Sequence, residues 1–396
     1  MKNKIIYKNF IPKKYLNKKY SKQIDKKYKK VIANLIQNFK YEKDATHSLS
    51  KDFKFSFNEN HLRKFRKFKT VVVVGMGGST LGSQAIYHSL KGKINKKFIF
   101  FDNLDENKIE SFKKDYALDK ILFLIISKSG NTIETISNLV TLKILKKNKK
   151  NIIIISEKKN NGLYLISKKM NLFHIEHKDY ISGRFSVFSE AGMIPAYLMG
   201  INLKSYKKNL LNKLKIQNNR FLKESSKKMA NVIKGKKLKN IIFLNYIPSL
   251  DKFLYWNQQL LAESLGKNRM GFLPVVSTAP RDHHSLLQLF LDGPQDKLFY
   301  IFSINFKKKT KLNTTVFGKF FKFLNNKSLG KIKDSQKNAL LIKLKKKNIP
   351  YREFKINNSN YQIIGQLFSY FMLETILIAR LINLDPFDQP AIEQVK

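Results

Sequence analysis

The segment TVVVVGMGGSTLG, residues 70–82, decides the fold because a β-branched strand pattern runs directly into a glycine turn and then a helix. Four consecutive valines are typical of a strand that is buried on both faces of a parallel sheet. Glycines let a backbone approach an anion closely, the helix start offers free N–H groups, and Ser79 adds a hydroxyl. We therefore predict an anion-binding turn or, as the alternative, a tight structural turn. The turn is not a dinucleotide-binding fingerprint, because Thr80 and Leu81 stand where that motif would continue differently.

Similar patterns recur along the rest of the chain. In the first half, strands are expected at Lys97–Phe101, Ile121–Ile126 and 151–155, with a helix at 133–145. A second set is expected after about residue 215. Its predicted strands are 240–244, 272–276, 298–304 and 351–356, and its predicted helices are 254–265, 284–291, 338–347 and 361–381.

This alternation of strands and helices predicts an α/β protein with two tandem three-layer α/β/α domains, mainly parallel sheets and a C-terminal helical tail. We expect an N-terminal helical segment at 1–45, a first domain at 46–212, a second domain at 213–380 and a tail at 381–396. The lysine- and asparagine-rich stretch 205–219 is the expected junction. In open parallel sheets, ligands bind beyond the carboxyl ends of the strands, where the informative segments of this chain lie.

Composition excludes some classes of function. The 396 residues include no cysteine, which excludes disulfides, thiolate catalysis and zinc–thiolate sites and fits a reducing compartment. We expect a cytoplasmic protein, because no secretory signal or membrane span is evident. The net charge of +49 comes mostly from lysines spread along the whole chain, so it indicates compositional bias more than specific nucleic-acid or membrane binding. The same charge would draw a phosphate dianion toward the protein at low salt.

A second loop, SKSGNTIET at residues 127–135, combines hydroxyls, one lysine and the start of a helix. This composition predicts a phosphate site, although serine and threonine are also ordinary helix caps. A third segment, SGRFSVFS at residues 182–189, holds one of the few arginines of a lysine-rich chain. An arginine at position 184, where lysine would be the common choice, suggests that the geometry of its guanidinium matters for function. The alternative is a structural salt bridge.

The fourth segment, WNQQLLAESLGK at residues 256–267, places Gln259 and Glu263 on one helix face. Glu263 can serve as a general base if a cleft surrounds it, but an exposed helical glutamate is the commoner case. A fifth segment contains the adjacent His283 and His284, which lack the spacing of a metal site and could act in acid–base chemistry. The sixth is the tail, FDQPAIEQVK at residues 387–396; chain ends are normally frayed.

Taken together, the six segments resemble the phosphoglucose isomerase family. That family carries a GIGGSxLG turn, a phosphate loop, a GGR(F/Y)S segment, an ESxGK helix, a histidine helix and a DQ tail that ends in lysine, and this chain has counterparts in the same order. The resemblance implies sugar-isomerase-type domains and reversible conversion of glucose 6-phosphate to fructose 6-phosphate without metal or cofactor. It also implies a homodimer whose active sites are shared between subunits.

The resemblance also implies a role for individual residues. Glu263 matches the base that moves a proton between C1 and C2, and Arg184 matches the group that steadies the enediolate. His284 and the tail residue Lys396 match the pair that opens the sugar ring, the histidine coming from the neighbouring subunit. Substrate or phosphate binding would fall to Gly78, Ser79, Ser127, Lys128, Ser129, Thr132, Gly183 and Gln389, with Glu134 in support near the histidine.

Two departures from the family pattern are visible. Ser182 replaces the first glycine of the GGR segment, and His283 stands where the family has glutamine, so His284 is the expected catalytic histidine and His283 the alternative. Three other functions stay open at this point. They are a dual-specificity isomerase that also accepts mannose 6-phosphate, a non-catalytic sugar-phosphate sensor, and a polyanion-binding protein with steeply salt-dependent binding.

Overall fold

The computed structural model describes residues 5–39, 41, 44–207, 219–305 and 310–393. Of the sequence-based expectations, Lys396 and most of the proposed junction at 205–219 fall outside these described residues. Within them, the chain forms two five-stranded sheets and a set of helices that separate and cover them.

The N-terminal segment contains a strand that the sequence did not predict. Strand β1, Ile5–Phe10, precedes helix α1, Lys18–Asn38, and the short helix α2, Glu59–Arg63. Asn17 caps α1 by accepting backbone hydrogen bonds from the first turn. The expectation of helices alone before residue 45 is wrong at Ile5–Phe10, because those residues pair with a distant strand of the second sheet.

The first sheet contains only parallel strands, in the order β3-β2-β4-β5-β6. Its strands are β2 Thr70–Val74, β3 Lys97–Phe101, β4 Ile121–Ile126, β5 Ile152–Ser156 and β6 Phe173–Glu176. The helices of this half are α3 Gly78–Leu90, α4 Glu106–Asp115, α5 Ile133–Thr141, α6 Gly162–Lys169, α7 Glu190–Leu198 and α8 Leu203–Lys207. The sequence predicted β2, β3 and β4 at these bounds and missed β6.

The second sheet has the order β1-β10-β9-β7-β8, and only β1 runs antiparallel to its neighbour. Its other strands are β7 Asn240–Asn245, β8 Leu273–Thr278, β9 Lys297–Ile304 and β10 Tyr351–Ile356. The helices of this half are α9 Arg220–Gly235, α10 Asp251–Leu265, α11 Leu287–Asp292, α12 Leu329–Lys346, α13 Tyr361–Leu381 and α14 Pro390–Glu393.

Short 3₁₀ helices complete the secondary structure. Two of them carry predicted site residues: Gly183–Phe188 includes Arg184, and Arg281–His283 directly precedes His284. The remainder are Lys13–Tyr15, Ala45–Leu49, Lys64–Lys67, Lys91–Lys93, Leu118–Lys120, Pro248–Leu250, Thr315–Phe317 and Lys322–Leu324.

The inner strands are buried on both faces, which explains their continuous apolar runs; they are β2, β4, β5, β7 and β9. All six residues of β4 are buried, and their side chains alternate between two separate clusters: Leu122 and Leu124 join a central core, while Phe123 and Ile125 join an outer one. The central core also contains one face of the second sheet and most of α13. A third cluster covers the outer face of the second sheet.

Helix α13 is the one described helix that is long and apolar enough to cross a membrane. Within the apolar stretch of this helix, 89% of the residues are buried inside the protein, and most of the helix belongs to the central core. The predicted α/β class with mainly parallel sheets and C-terminal helices is confirmed. The four-part division into domains at 45, 212 and 380 stays a prediction.

Candidate active site

The glycine turn after β2 lies against the loop that follows β4. Both strands are parallel neighbours, so their carboxyl ends meet at one edge of the first sheet. A Cβ on Gly75 would lie only 2.5 Å from the carbonyl oxygen of Ile126. Gly77 adopts a left-handed φ of +51°, which a glycine tolerates without strain. The turn and the predicted phosphate loop are therefore in direct contact.

The start of α3 packs against the segment that carries Arg184. A Cβ on Gly78 would lie 2.2 Å from the carbonyl carbon of Gly183 and 2.7 Å from the backbone nitrogen of Arg184. The hydroxyl of Ser186 donates a 3.1 Å hydrogen bond to the Gly78 carbonyl. Gly78 thus allows the two backbones to touch, and this contact positions Arg184 relative to the turn.

Arg184 is completely buried, and its guanidinium is bound on all sides. Its Nε donates to the Ser264 hydroxyl at 2.9 Å and its Nη1 donates to Glu263 Oε2 at 3.1 Å. Its Nη2 donates to the carbonyls of Pro386, at 2.6 Å, and Asp388, at 3.0 Å. Burial lowers the pKa of Arg184 from its ordinary value, and Glu263 acts in the opposite direction.

Glu263 lies in the last turn of α10 with its carboxylate held by three donors. Oε1 accepts a 2.7 Å hydrogen bond from Gln259 Nε2. Oε2 accepts hydrogen bonds from Arg184 Nη1, at 3.1 Å, and from Gln389 Nε2, at 3.0 Å. The side chain is 21% exposed, so the carboxylate is oriented by the protein but stays accessible to a ligand.

A cleft of about 630 Å³ opens beside this carboxylate. It lies between the end of α10 and the C-terminal part of the chain, with Glu263 and Gln389 on its walls. Residues 385–389, named here the C-terminal strap, supply Gln389 and both carbonyls that bind Arg184. The Phe387 ring packs edge-on against the Phe185 ring at 5.2 Å between centroids, which further fixes this strap to the Arg184 segment.

The predicted phosphate loop is preorganised by its own hydroxyls. Ser127 Oγ and Thr132 Oγ1 are 2.8 Å apart, and the Gly130 backbone N–H donates to Ser127 Oγ at 3.2 Å. Ser129 is exposed, and α5 begins directly after Thr132, so its first N–H groups lie at the same place. A phosphate bound here would meet hydroxyl donors and a helix start.

Lys128 supplies the cation of this loop. Its Nζ lies 3.7 Å from Glu157 Oε1, a residue that follows β5 at the same sheet edge. Burial lowers the pKa of Lys128 from its ordinary value, while Glu157 and Asp179 act to raise it. The ammonium is therefore placed beside the loop by a carboxylate, and it is partly desolvated before any ligand arrives.

The two histidines lie after β8, at the carboxyl edge of the second sheet. Asp282 orders this turn by accepting hydrogen bonds from the Ser277 hydroxyl, at 3.0 Å, and the Thr278 backbone N–H, at 2.8 Å. His283 is half-buried, with Nε2 2.9 Å from the Tyr246 hydroxyl, and burial, followed by the charge of His284, lowers its pKa. His284 is exposed.

Some of the predicted site residues are connected by hydrogen bonds or backbone contact, and others lie apart from them. Glu263, Arg184 and Gln389 are joined by hydrogen bonds, and Gly78 and Gly183 are in contact beside them. Among the described residues, no hydrogen bond or ion pair links this group to His284 or to Glu134, which is exposed in the first turn of α5. The same described part of the chain contains no group of three His, Asp or Glu side chains that could hold a metal ion.

Sequence reasoning missed several contributors. Gln259 was placed on the face of Glu263 by its four-residue spacing, but its bond to the base was not inferred. Ser264, directly after the base, accepts from Arg184, and the Trp256 indole N–H donates to the Arg184 carbonyl at 3.1 Å. These contacts join α10 to a segment about 70 to 80 residues away in sequence, and no local pattern signals them.

Comparisons with known proteins identify a matching family. The model of the family described as "Phosphoglucose isomerase" matches residues 30–396. A glucose-6-phosphate isomerase of Methanocaldococcus jannaschii is 32% identical over 359 residues, with 87% of each chain covered. A glucose-6-phosphate isomerase of Campylobacter jejuni is 29% identical and covers 82% of this chain and 83% of its own.

Solved structures show the same fold. A hypothetical protein from Thermus thermophilus superposes with a TM-score of 0.81 at 20% identity, covering 98% of both chains. A glucose-6-phosphate isomerase from Chlamydia trachomatis superposes with a TM-score of 0.72 at 17% identity, covering 99% of this chain and 86% of its own. At these identities the likeness concerns the fold alone.

Proposed function

The chain belongs to the phosphoglucose isomerase family, and we propose that it interconverts glucose 6-phosphate and fructose 6-phosphate at the site around Glu263. This reaction is an aldose–ketose isomerisation that serves glycolysis and gluconeogenesis. The observation that carries the proposal is the Glu263 carboxylate, which is oriented by Arg184, Gln259 and Gln389 and still opens to a cleft.

Glu263 is assigned the proton transfer. In the open-chain aldose, the hydrogen on C2 is acidic because the C1 aldehyde can accept the electron pair. The carboxylate removes this proton and an enediolate forms with negative charge on O1. The hydroxyl proton of O2 moves to O1, and the same carboxyl returns its proton to C1 as the C2 carbonyl forms. A positioned acid–base group of this kind contributes about 10²- to 10⁴-fold in rate. The donors on both carboxylate oxygens hold it in one orientation.

Arg184 is assigned the stabilisation of the enediolate. Negative charge develops on the substrate oxygens only as the proton leaves, so a fixed cation nearby stabilises the transition state more than the bound sugar. Its buried guanidinium is already bound by Ser264 and two carbonyls of the C-terminal strap. The protein therefore does not reorganise when the charge appears.

The phosphate is assigned to the loop after β4. Ser127, Ser129 and Thr132 offer hydroxyls, Lys128 offers a positive charge, and α5 offers its first N–H groups. Gly78, Ser79 and Gly183 would approach the sugar itself, because the glycine turn lies against the end of β4 and contacts the segment of Gly183 and Arg184. The sugar would thus extend from the phosphate loop toward Glu263.

Ring opening is assigned to His284 and Lys396, with Glu134 in support. His283 is engaged with Tyr246, whereas His284 is exposed, which supports His284 as the reactive histidine. We propose a homodimer in which His284 of one chain serves the site of the other. Sedimentation of the purified protein as a single chain at assay concentration would contradict this arrangement.

The reaction itself asks for no redox cofactor or metal. Aldose and ketose are isomers, so no net electron transfer occurs, and a carboxylate with fixed cations can move the proton and stabilise the enediolate. We further propose a cytoplasmic enzyme without a specific nucleic-acid or membrane partner. Cell fractionation that places the protein with membranes or nucleic acid would contradict that placement.

The test compares the wild-type protein with Glu263→Gln in the presence of excess chelator, with glucose 6-phosphate as substrate and fructose 6-phosphate as the product measured. The substitution keeps the shape of the side chain but removes the base, so kcat should fall about 10²-fold or more. Glu110→Gln is the matched control, because Glu110 is a helical carboxylate on the exposed face of α4 that forms an ion pair with Lys113.

Three outcomes are informative. Chelator-resistant turnover that is lost in Glu263→Gln and kept in Glu110→Gln would support both the reaction and the base. Equal turnover in all three proteins would remove Glu263 from the proton transfer. Wild-type protein that binds the sugar phosphate but never converts it would leave the fold in place and favour the sensor function instead.

A further inference from the structure

Lys267 binds the C-terminal strap at two points. This lysine follows the end of α10, four residues after Glu263, and its side chain is only 8% exposed. Its ammonium donates to the backbone carbonyl of Asp385 and forms an ion pair with the carboxylate of Asp388. These two acceptors hold the side chain in place.

The same strap completes the environment of both Arg184 and Glu263. Arg184 donates to the carbonyls of Pro386 and Asp388, and Gln389 donates to Glu263. The Phe387 ring adds an apolar contact to the Arg184 segment. The placement of the strap in the structure therefore determines whether its carbonyls lie within hydrogen-bond distance of Arg184. It also determines whether Gln389 lies within hydrogen-bond distance of Glu263.

We infer that the Lys267–Asp388 pair is a latch that positions the C-terminal strap for catalysis. The latch closes a ring: Glu263 connects through the end of α10 to Lys267, Lys267 binds Asp388, and the next residue, Gln389, returns to Glu263. Lys267 is in this sense a positioning residue. It acts through the strap on the Glu263 carboxylate and the Arg184 guanidinium.

This inference rests on the proposed function, but it also makes a claim that does not depend on turnover. Without Lys267, the strap keeps its bonds to Arg184 but loses its contacts at the Asp385 carbonyl and the Asp388 carboxylate. Gln389 then leaves the Glu263 carboxylate for part of the time, and the two carbonyls become less well placed. A misplacement of about 1 Å in a catalytic group can cost about 10²-fold in rate.

The experiment measures kcat and KM for glucose 6-phosphate in Lys267→Met, Asp388→Asn and the double variant. We expect kcat to fall about 10- to 100-fold in each single variant, with little change in KM because the phosphate loop is untouched. The double variant should lose no more than the single ones, since both remove the same contact. Lys347→Met is the matched control: it removes a 3.0 Å exposed ion pair with Asp292.

Hydrogen–deuterium exchange of the same proteins provides the second readout. Amides of Asp385 and of residues 387–389 should exchange faster in Lys267→Met than in the wild-type protein, whereas those of β4 in the buried sheet should not change. A merely structural role would instead lower protection throughout the second half. Exchange at the strap that does not change, kcat that stays at the wild-type level, or losses that add in the double variant would each overturn the latch.

Failure of the latch and failure of the proposed function are distinguishable. If the wild-type protein does not convert glucose 6-phosphate, the proposed function fails, and the exchange measurement alone then decides whether Lys267 holds the strap. If the wild-type protein is active and Lys267→Met retains full kcat despite a faster-exchanging strap, the reaction stands and the positioning role of Lys267 is wrong.

Discussion

At the residue scale, the Arg184 side chain distinguishes this site from a simple ion pair. Its guanidinium is fully buried and donates to four acceptors that belong to separate parts of the chain. A guanidinium presents five N–H donors in one plane, so it can bind a hydroxyl, a carboxylate and two carbonyls at once. This explains why arginine stands here in a chain whose basic residues are mostly lysine.

The substitution Arg184→Lys tests this geometry while it keeps the charge. A lysine ammonium cannot span the acceptors, so Glu263 loses one donor and the strap carbonyls lose theirs. We expect kcat to fall about 10²- to 10³-fold, the usual loss when one fixed charge-stabilising donor is removed. The measurement is steady-state kinetics on protein whose folding is checked by circular dichroism; a kcat within a few fold of the wild-type value would show that charge alone suffices.

At the element scale, the first strand–turn–helix unit packs directly against the Arg184 segment. The start of α3 meets the backbone of Gly183 and Arg184 at a distance that leaves no room for a side chain on Gly78. Helix α10 lies against the same turn, since a Cβ on Gly77 would come within 3.0 Å of the Gln259 amide nitrogen. Glycine is needed here for close approach between elements as well as for a turn.

The substitution Gly78→Ala tests this close approach. Alanine is the better helix former by about 1 kcal/mol, so propensity alone predicts stabilisation. The added Cβ would meet backbone atoms, which cannot move aside cheaply, so we expect a net loss of about 1–3 kcal/mol in the free energy of unfolding and reduced kcat. Denaturant titration measures the change.

Gly92→Ala is the matched control for this prediction. Gly92 lies in a 3₁₀ turn, and a Cβ there would meet nothing within 4 Å. Its substitution should leave stability and turnover close to the wild-type values. If Gly78→Ala proved as stable as Gly92→Ala, close contact between α3 and the Arg184 segment would not contribute to stability.

At the scale of the whole molecule, one central core connects the two sheets. It contains one face of each sheet and most of α13. At its edge, Glu374 accepts from Arg352 Nη1 at 3.0 Å, from Arg352 Nη2 at 2.7 Å and from the Tyr370 hydroxyl at 2.7 Å, all in fully buried positions. Arg352 also donates to Asn9, which ties β1 to this network.

The substitution Glu374→Gln should destabilise the whole molecule. It leaves the buried Arg352 charge without its partner and turns one acceptor into a donor that faces other donors, which costs about 3–5 kcal/mol when a buried pair is broken. Because both sheets share the central core, we expect one cooperative transition at a lower denaturant concentration.

Glu224→Gln gives the comparison for Glu374→Gln. Glu224 forms an exposed ion pair with Arg220 on α9, and such a solvent-screened pair contributes little to stability. Two separate unfolding transitions in Glu374→Gln, or a loss no larger than that of Glu224→Gln, would contradict the idea that the buried pair secures a shared core.

The fold class and most of the proposed site residues could be predicted from local sequence patterns. The strands at Thr70–Val74, Ile121–Ile126 and Tyr351–Ile356 were predicted at their observed bounds, because burial of one or both faces imposes a readable local pattern. The glycine turn, the hydroxyl-rich loop and the helix with Glu263 are also local signals, since each lies within about a dozen consecutive residues.

Which of these segments come into contact depends on packing between residues that are distant in sequence. Strand Ile5–Phe10 escaped prediction because its mixed composition becomes a strand by pairing with Tyr351–Ile356, more than 300 residues later. Arg184 donates to the backbone carbonyls of Pro386 and Asp388, and Lys267 donates to that of Asp385. Every residue carries such a carbonyl. Composition and spacing do not predict such contacts, because tertiary packing determines which backbone carbonyl accepts the hydrogen bond.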